Sequence, residues 1–438
     1  MTRERLVNPG RRRALAGAGA AAILGLPALA QAARGPRPVR GFKPEKLPSE
    51  ADLGLWLRRL HDFGPVRATG TDGARDFEVH LQERMAAHGA ILHIDDFQLT
   101  SWQGALSACW INVGEDAGPS RDVEVLSYYP FCGSTYGKAA VSGRVLHAGV
   151  GVRDAVALLT RPSADLAGSI VVLDIPAGGD GGDLMTLLQD RCMGLILCRT
   201  GPPDDEVRYQ WLPPSAAAGA IPALWVGAEA SRYLRRVSGK ATLSMRCDAR
   251  TTPFAKAQST LALFPGDSEE VILLSASTDG PNELSGTGAL GLLALATYAS
   301  NLGQRRRKRT LAFALPTGAW APAAIADRES GSGEPAGMDG MVAKHPGIAA
   351  QAVAQIALSN LGAVEAAPIW SATTAATGPA RRLLAACGEA RVDPAYVFPE
   401  SAGLRIRAIP GLALTSHPAY ANRADPAGVL GRLNPGMM

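Results

Sequence analysis

The sequence is poor in charged and aromatic residues, and its small charge excess is confined to one end. Charged residues make up 19% and aromatic residues 5% of the 438 residues, and the formal net charge is +4. Residues 1–33 contain five arginines and one glutamate, so they account for the whole excess and the remainder is neutral. A neutral chain gives no electrostatic reason to expect nucleic acid as a partner. The basic run at 305–309 follows a predicted helix and is interpreted as a solvated helix end.

Long apolar runs are also missing, which excludes a spanning helix after the N-terminal region. No stretch there reaches the roughly 18 uninterrupted apolar residues that a transmembrane helix requires. At the N-terminus, Arg11-Arg12-Arg13 precede an apolar run over 16–29, and small residues around 28–32 suit a cleavage site. This pattern predicts a secretory signal of the twin-arginine type over residues 1–33. The expected location is therefore periplasmic or secreted, with an uncleaved interfacial anchor as the alternative.

The six cysteines lack the C-x-x-C spacing of redox and many metal sites. An even number in an oxidising compartment allows one or two disulfides, and their pairing stays open. Cys192 and Cys198 flank a short apolar strand, and we expect both to be buried thiols.

The rest of the chain divides by its local patterns. Residues 34–50 are rich in proline and predict an extended linker. Helical patterns follow at 49–63 and 74–88, and a strand begins at Ile91. Between about 143 and 248, short apolar strands separated by glycine and proline predict a compact β-rich module inserted in a larger domain.

The last third alternates strand and helix, with strands predicted at 271–276 and 310–315 and a helix at 288–300. Such alternation predicts an α/β fold with a mixed, mostly parallel sheet flanked by helices. Ligand sites in these sheets lie beyond the carboxyl ends of the strands. Here those ends point to 277–286 and 316–320.

Several motifs resemble those of the co-catalytic zinc exopeptidases of the aminopeptidase Y and glutamate carboxypeptidase type. Gly64-Pro65-Val66-Arg67-Ala68-Thr69-Gly70 is similar to that family's opening motif, with one extra residue. Segments at 141–145, 168–172 and 221–224 resemble strands of a protease-associated (PA) domain. The resemblance implies a peptidase-like domain over 51–120 and 251–438, with a PA domain inserted over 121–250.

The segment 275–280, Ser-Ala-Ser-Thr-Asp-Gly, resembles the strand end that carries the family's first zinc ligands. The ligand histidine of the family falls on Ser277, and Asp279 matches the residue that supports that histidine. The bridging carboxylate falls on Leu284, or on Asn282 if the helix start is taken at Ser285-Gly286 instead of Thr287-Gly288. The family's Gly-Glu-Glu falls on Gly318-Ala319-Trp320, its later acidic ligand on Ser359, and its final histidine in the region of His417.

Serine, alanine and leucine cannot replace the ligands of a zinc pair, because the ions require several converging histidines and carboxylates. We therefore expect no cofactor and predict a metal-depleted pseudopeptidase that binds a peptide or protein in the former cleft. An active zinc aminopeptidase using Glu283, Asp279 and His417 is the alternative. A further alternative is a serine hydrolase that uses Ser277 or Ser285, although no G-x-S-x-G motif surrounds either. Another alternative is a scaffold role carried by the PA module alone.

Overall fold

The computed structural model describes residues 42–115, 120–160, 166–176, 185, 187–188, 190–201, 203–211, 221–321, 337–372, 391–392 and 409–438. The predicted signal segment, residues 34–41 of the predicted linker and Cys387 lie outside these residues. Among the described residues, no helix combines the length and apolarity needed to cross a membrane.

The first two helices begin and end close to where the sequence predicts. Ser49 precedes the first helix, and its side chain accepts a hydrogen bond from Asp52 N while Asp52 accepts from Ser49 N. This capping box satisfies two backbone donors at the helix start. The helices of the described residues are α1 (Glu50–Asp62), α2 (Asp72–Ala87), α3 (Gly151–Leu159), α4 (Asp204–Val207), α5 (Ala228–Val237), α6 (Glu283–Leu302), α7 (Gly337–Lys344) and α8 (Pro346–Gln351), with 3₁₀ turns at Pro44–Lys46, Gln304–Arg306, Leu430–Arg432 and Pro435–Met437.

The strands of the described residues form one 14-stranded sheet. They are β1 (Ile91–Glu115), β2 (Arg121–Val123), β3 (Val125–Tyr128), β4 (Val141–Val150), β5 (Ser169–Ile175), β6 (Gly194–Arg199), β7 (Ala223–Val226), β8 (Ala241–Phe264), β9 (Val271–Ser275), β10 (Thr310–Leu315), β11 (Ala352–Leu358), β12 (Ile369–Ala372), β13 (Arg391–Val392) and β14 (Gly411–Thr415). Their order is β13-β12-β14-β11-β9-β10-β8-β4-β5-β6-β7-β3, with β1 pairing β8 and β2.

Two groups of neighbouring strands are parallel. One consists of β14, β11, β9 and β10, and the other of β4, β5, β6 and β7. β8 runs antiparallel to both β10 and β4 and so joins the two groups. The predicted α/β class, with a mostly parallel sheet flanked by helices, is confirmed.

β1 and β8 are far longer than the short strands that the sequence predicts in these regions. They pair antiparallel from Ile91 opposite Leu263 to Glu115 opposite Ala241, with register shifts near Leu99 and after Gly104. These shifts interrupt the two-residue alternation of side chains, so one continuous strand reads along the chain as several separate ones. The ribbon of β1 and β8 runs through both parts of the sheet.

α6 begins five residues earlier than predicted. Asn282 precedes it in an extended conformation, and its first four residues, Glu283 to Gly286, are all buried. The helix packs closely on β11, because a Cβ on Gly288 would lie 2.3 Å from the Leu358 carbonyl oxygen. A run of small residues with few apolar side chains on one face hides this helix start from a pattern-based prediction.

Candidate functional site

The carboxyl ends of four parallel strands meet at one edge of the sheet. Ser275 at the end of β9 is in register with Ala314 of β10 and Ala357 of β11, and Leu358 is in register with Leu414 of β14. The residues that follow these strands therefore lie along a common edge, as the sequence predicts. We call this region the strand-end site and define it by Ser277, Asp279, Ala319, Trp320, Ser359 and His417.

Asp279 is fully buried at the centre of this site. Its Oδ2 accepts hydrogen bonds from Thr69 Oγ1 at 2.5 Å, from Gly318 N at 3.0 Å and from Trp320 N at 3.2 Å. Its Oδ1 accepts a hydrogen bond from Ser277 Oγ at 2.5 Å. Four donors satisfy the carboxylate, so Asp279 fastens three chain segments to one another.

Ser277, at the position matching the family's ligand histidine, is thus a hydrogen-bond donor to the residue that would support that histidine. Ser285 Oγ donates to the Asn282 carbonyl oxygen at 2.6 Å. A nucleophilic serine passes its proton to a general base, usually histidine. Both hydroxyl protons are here committed to other oxygens, which argues against the serine hydrolase interpretation.

Arg67 is a buried cation beneath the site. Its Nη2 donates to the Asn282 carbonyl oxygen at 2.9 Å, and its side chain is entirely buried. Burial lowers the pKa of Arg67 to about 10, and the nearby carboxylates of Glu283 and Asp279 oppose that shift. Arg67 therefore remains charged at neutral pH and stabilises both buried carboxylates.

Glu283, which the sequence offers as a displaced zinc ligand, is held by other groups. Its Oε1 lies 2.5 Å from His61 Nδ1, and its Oε2 accepts a hydrogen bond from Val429 N at 2.8 Å. Gly428 has φ 72°, and a Cβ there would lie 2.1 Å from Glu283 Oε1. The carboxylate is therefore enclosed by α1 and the C-terminal segment.

The two candidate positions for the bridging carboxylate have different environments. Asn282 Nδ2 lies 3.0 Å from each of the carbonyl oxygens of Tyr420, Ala421 and Arg423, so the amide ties the start of α6 to the C-terminal segment. Leu284 is buried in an apolar cluster with Ala363, Tyr420, Ala421 and Val429. Neither residue supplies a negative charge.

The remaining predicted residues lie around the edge. Trp320 is buried, and Ala319 is half-buried against the same apolar core. Ser359 is buried, its backbone N–H donates to the Leu414 carbonyl oxygen, and its hydroxyl makes no hydrogen bond within the described residues. His417 is exposed.

The arrangement does not suit a pair of zinc ions. Within the part of the chain that the structure describes, no three histidine, cysteine, aspartate or glutamate side chains converge as metal ligands. The two buried carboxylates nearest the predicted ligand positions, Asp279 and Glu283, are occupied by donors from the chain. Metal ligands converge on a common point, whereas the hydrogen bonds of these two carboxylates go to separate parts of the chain.

Sequence reasoning missed four residues that support the site: His61, Arg67, Thr69 and Glu78. Arg67 and Thr69 belong to the opening motif, so the sequence shows that a cation and a hydroxyl donor are present there. It does not show that they bind Asn282 and Asp279. Glu78 on α2 is buried, and its Oε2 accepts a hydrogen bond from Gln258 N at 3.0 Å. Burial raises its pKa to about 8, so this carboxyl is mostly neutral at pH 7.

A separate cavity of about 680 Å³ lies next to the same opening segment. Thr69 contacts Asp279 of the strand-end site and Arg67 contacts Asn282 nearby, whereas the alternate residues Val66 and Ala68 line the cavity. Its wall includes the aromatic residues Phe63, Tyr128, Tyr209 and Trp211. None of the residues that define the strand-end site lines it.

No family model and no curated protein sequence matches the chain, whereas solved structures do. An aminopeptidase from an Aneurinibacillus strain matches over 90% of this chain and 91% of its own, at 13% identity and a TM-score of 0.60. BSAP, a zinc aminopeptidase from Bacillus subtilis, matches over 89% and 92%, at 12% identity and 0.61. A peptidase M28 precursor from Shewanella amazonensis matches over 88% and 91%, at 12% identity and 0.63. The chain therefore has the fold of the M28-type zinc aminopeptidases.

Proposed function

We propose that this chain is an exported, metal-depleted pseudopeptidase that binds a peptide or protein segment at the strand-end site. The observation that carries the proposal is the environment of Asp279. On a fold shared with zinc aminopeptidases, this carboxylate binds Thr69, Ser277, Gly318 and Trp320. Four donors from the chain take the place that a histidine ligand and its metal would require.

Binding without chemistry suits the groups that remain at this edge. Ser277 and Ala319 are half-buried, and His417 is exposed, so a ligand can reach them. The residues behind them are fixed by the hydrogen bonds of Asp279 and Asn282. A preformed surface loses little conformational freedom when a ligand binds, which favours affinity.

The alternative, an active zinc aminopeptidase with atypical ligands, has weaker support. It would require Asp279 and Glu283 to exchange their present partners for a metal. Breaking the contacts of a buried carboxylate is costly unless the ion replaces all of them.

The first experiment measures bound zinc and peptidase activity together. Mature protein purified without chelators is analysed for zinc and then assayed for release of N-terminal residues from peptides, with and without added zinc. We expect a zinc content far below one ion per chain and no release. About two zinc ions per chain with chelator-sensitive release would establish the alternative.

The second experiment tests the binding surface. Peptides selected from a random display library on the wild-type protein are titrated against Ser277→Phe and Ala319→Leu, because added bulk closes the edge without adding charge. Ala343→Leu, at an exposed position on α7, is the matched control. We expect at least a tenfold loss of affinity (about 1.4 kcal/mol) in the two site variants alone. Unchanged affinity in folded variants would place the binding surface elsewhere.

Export is tested separately, by replacing Arg11, Arg12 and Arg13 with lysine. The twin-arginine proposal expects the protein to stay in the cytoplasm of a bacterial host. Export of the lysine variant at the wild-type level would rule that route out.

A further inference from the structure

Three cysteines from three separate segments meet at one point beside the long ribbon. Cys109 of β1 and Cys247 of β8 are directly opposite one another in the antiparallel pairing. Side chains of opposite residues lie on the same face, with Cβ atoms about 4.5–5.5 Å apart. Cys132, in the turn after β3, places its Sγ 3.5 Å from Cys247 Sγ. Cys247 is therefore the shared neighbour of two other thiols.

The turn that carries Cys132 is bound firmly to β8 around Cys247. Thr135 N donates to the Cys247 carbonyl oxygen at 2.9 Å, and Cys247 N donates to Thr135 Oγ1 at 3.0 Å. Trp102 Nε1 donates to the Cys132 carbonyl oxygen at 3.1 Å. A disulfide bond is about 2.05 Å long. Bond formation therefore requires the two sulfurs to approach by about 1.5 Å from their present 3.5 Å.

The three thiols differ in their access to solvent. Cys132 and Cys247 are 2% and 0% exposed, whereas Cys109 is half-buried. Cys109 directly follows the irregular part of β1, where the register shifts after Gly104, and its Sγ donates to the Ala105 carbonyl oxygen. A dissolved oxidant can therefore reach Cys109 before it can reach the other two.

We propose that this cluster is a thiol oxidation site in which Cys109 reacts first and a Cys132–Cys247 disulfide is the final product. The oxidant is a small disulfide. The Cys109 thiolate attacks one of its sulfurs, which forms a mixed disulfide and releases one thiol. The Cys247 thiolate then attacks Cys109 Sγ, releasing the second thiol. Finally the Cys132 thiolate attacks Cys247 Sγ, and Cys109 leaves as a thiolate and takes up a proton.

The overall reaction is balanced. Two protein thiols and one small disulfide give one protein disulfide and two small thiols, so Cys109 is regenerated. Contacts with Cys109 and Cys132, together with burial, raise the pKa of Cys247 well above its ordinary value. Because only thiolates attack disulfides, the exchange through Cys247 should accelerate as pH rises.

The other two described cysteines provide an internal control. Cys192 and Cys198 are buried, and among the described residues their thiols contact backbone carbonyl oxygens rather than another thiol. Burial raises the pKa of Cys192 to about 12 and that of Cys198 to about 11. We expect both to stay reduced under conditions that oxidise the cluster.

The test treats the folded, reduced protein with oxidised glutathione, blocks free thiols at acid pH and maps cross-linked peptides by mass spectrometry. We expect Cys132 joined to Cys247 and a free Cys109. In Cys109→Ser the same product should form more slowly, by roughly tenfold or more since the accessible thiol is lost. In Cys132→Ser the Cys109–Cys247 disulfide should accumulate, and Cys198→Ser should match the wild-type protein.

Two results would overturn the proposal. Free Cys132 and Cys247 after long exposure of the wild-type protein would exclude the disulfide. An unchanged rate in Cys109→Ser would exclude Cys109 as the first thiol. If a serine variant does not fold, as judged by circular dichroism, peptide mapping of the wild-type protein still decides the first point. The added oxidant makes the test independent of export and of peptide binding.

Discussion

At the scale of single residues, three buried charged side chains lie in or near the strand-end site. Asp279 and Glu283 are both fully buried, and Arg67 is a buried cation close enough to interact electrostatically with both. A buried carboxylate is tolerated where donors satisfy its oxygens and a cation lies close by. These charged groups therefore hold separate parts of the chain together.

A first prediction concerns Asp279→Asn. The amide keeps the size of the side chain but replaces a charged acceptor of four hydrogen bonds, so it should lower the free energy of unfolding by about 2–3 kcal/mol. Ser277→Ala removes one of the donors and should cost about 1 kcal/mol. Urea denaturation measures both. Asp122→Asn, at an exposed position, is the control and should have a small effect. An Asp279→Asn effect no larger than that of the control would refute the role of Asp279 in holding the chain segments together.

A second prediction concerns Glu78 and pH. Its folded pKa of about 8 is above the ordinary value of 4.5, so the folded protein holds a proton that the unfolded chain releases. Its contribution to stability is complete below pH 4.5 and is lost as pH rises towards 8, at up to about 1.4 kcal/mol per pH unit.

Glu78→Gln isolates this contribution, because the amide does not titrate. The difference in unfolding free energy between the wild-type protein and Glu78→Gln should shift against the wild-type protein from pH 5 to pH 8. Glu269→Gln, at an exposed position, should show no such trend. A difference that does not vary with pH would mean that Glu78 is ionised in the folded protein.

The sequence predicts the location of the site but not its contacts. Ser277 and Ala319 are found at the expected edge because strand ends can be read from apolar runs. The contact of His61 with Glu283 joins residues 222 positions apart, and no local pattern encodes such a distance. The partners of Asp279 likewise depend on how the opening motif folds against the sheet.

At the scale of elements, α6 is fixed by its close approach to the sheet. Glycines allow it to lie against β11, since a Cβ on Gly288 would lie 2.3 Å from Leu358 O and 3.1 Å from Ser359 Cα. Backbone atoms cannot rotate out of the way as side-chain ends do. The position of α6 in turn places Asn282 and Glu283.

A third prediction follows for Gly288→Ala. The added methyl group must move the helix or the strand, and overpacking of this kind costs about 1–3 kcal/mol. Gly347→Ala on α8 is the matched control, because a Cβ there meets nothing within 4 Å. We expect the control to be neutral or to stabilise by about 0.4–1 kcal/mol through the unfolded chain. Equal melting temperatures of the two variants would contradict the close packing.

At the scale of the whole molecule, the sequence predicts the α/β class and the helices α1, α2 and most of α6, but not the continuity of the sheet. The inserted PA domain over 121–250 remains a prediction. β1 and β8, of 25 and 24 residues, run from strands near the N-terminal helices to strands within that predicted insert. The register shifts between β1 and β8 interrupt the alternation of side chains, so the sequence pattern of each strand resembles that of separate short strands.

A fourth prediction follows from this ribbon, because two apolar cores share it. Trp102, Trp211 and Trp225 lie in one core, whereas α1, α2 and α6 pack around the other. If the ribbon couples the cores, heat should unfold them in one transition. Tryptophan fluorescence and far-ultraviolet circular dichroism should give the same midpoint, and separate midpoints would indicate two independent folding units.

For protein engineering, the hydrogen bonds of Asp279 set the minimum number of changes needed to install a zinc centre at this edge. A histidine introduced at 277 would face the Asp279 carboxylate, whose Oδ2 already accepts hydrogen bonds from Thr69, Gly318 and Trp320. Point substitutions that introduce ligands one at a time would leave the ion competing with these donors. A working redesign has to rebuild segments 67–69, 277–284 and 316–320 together, as a single graft.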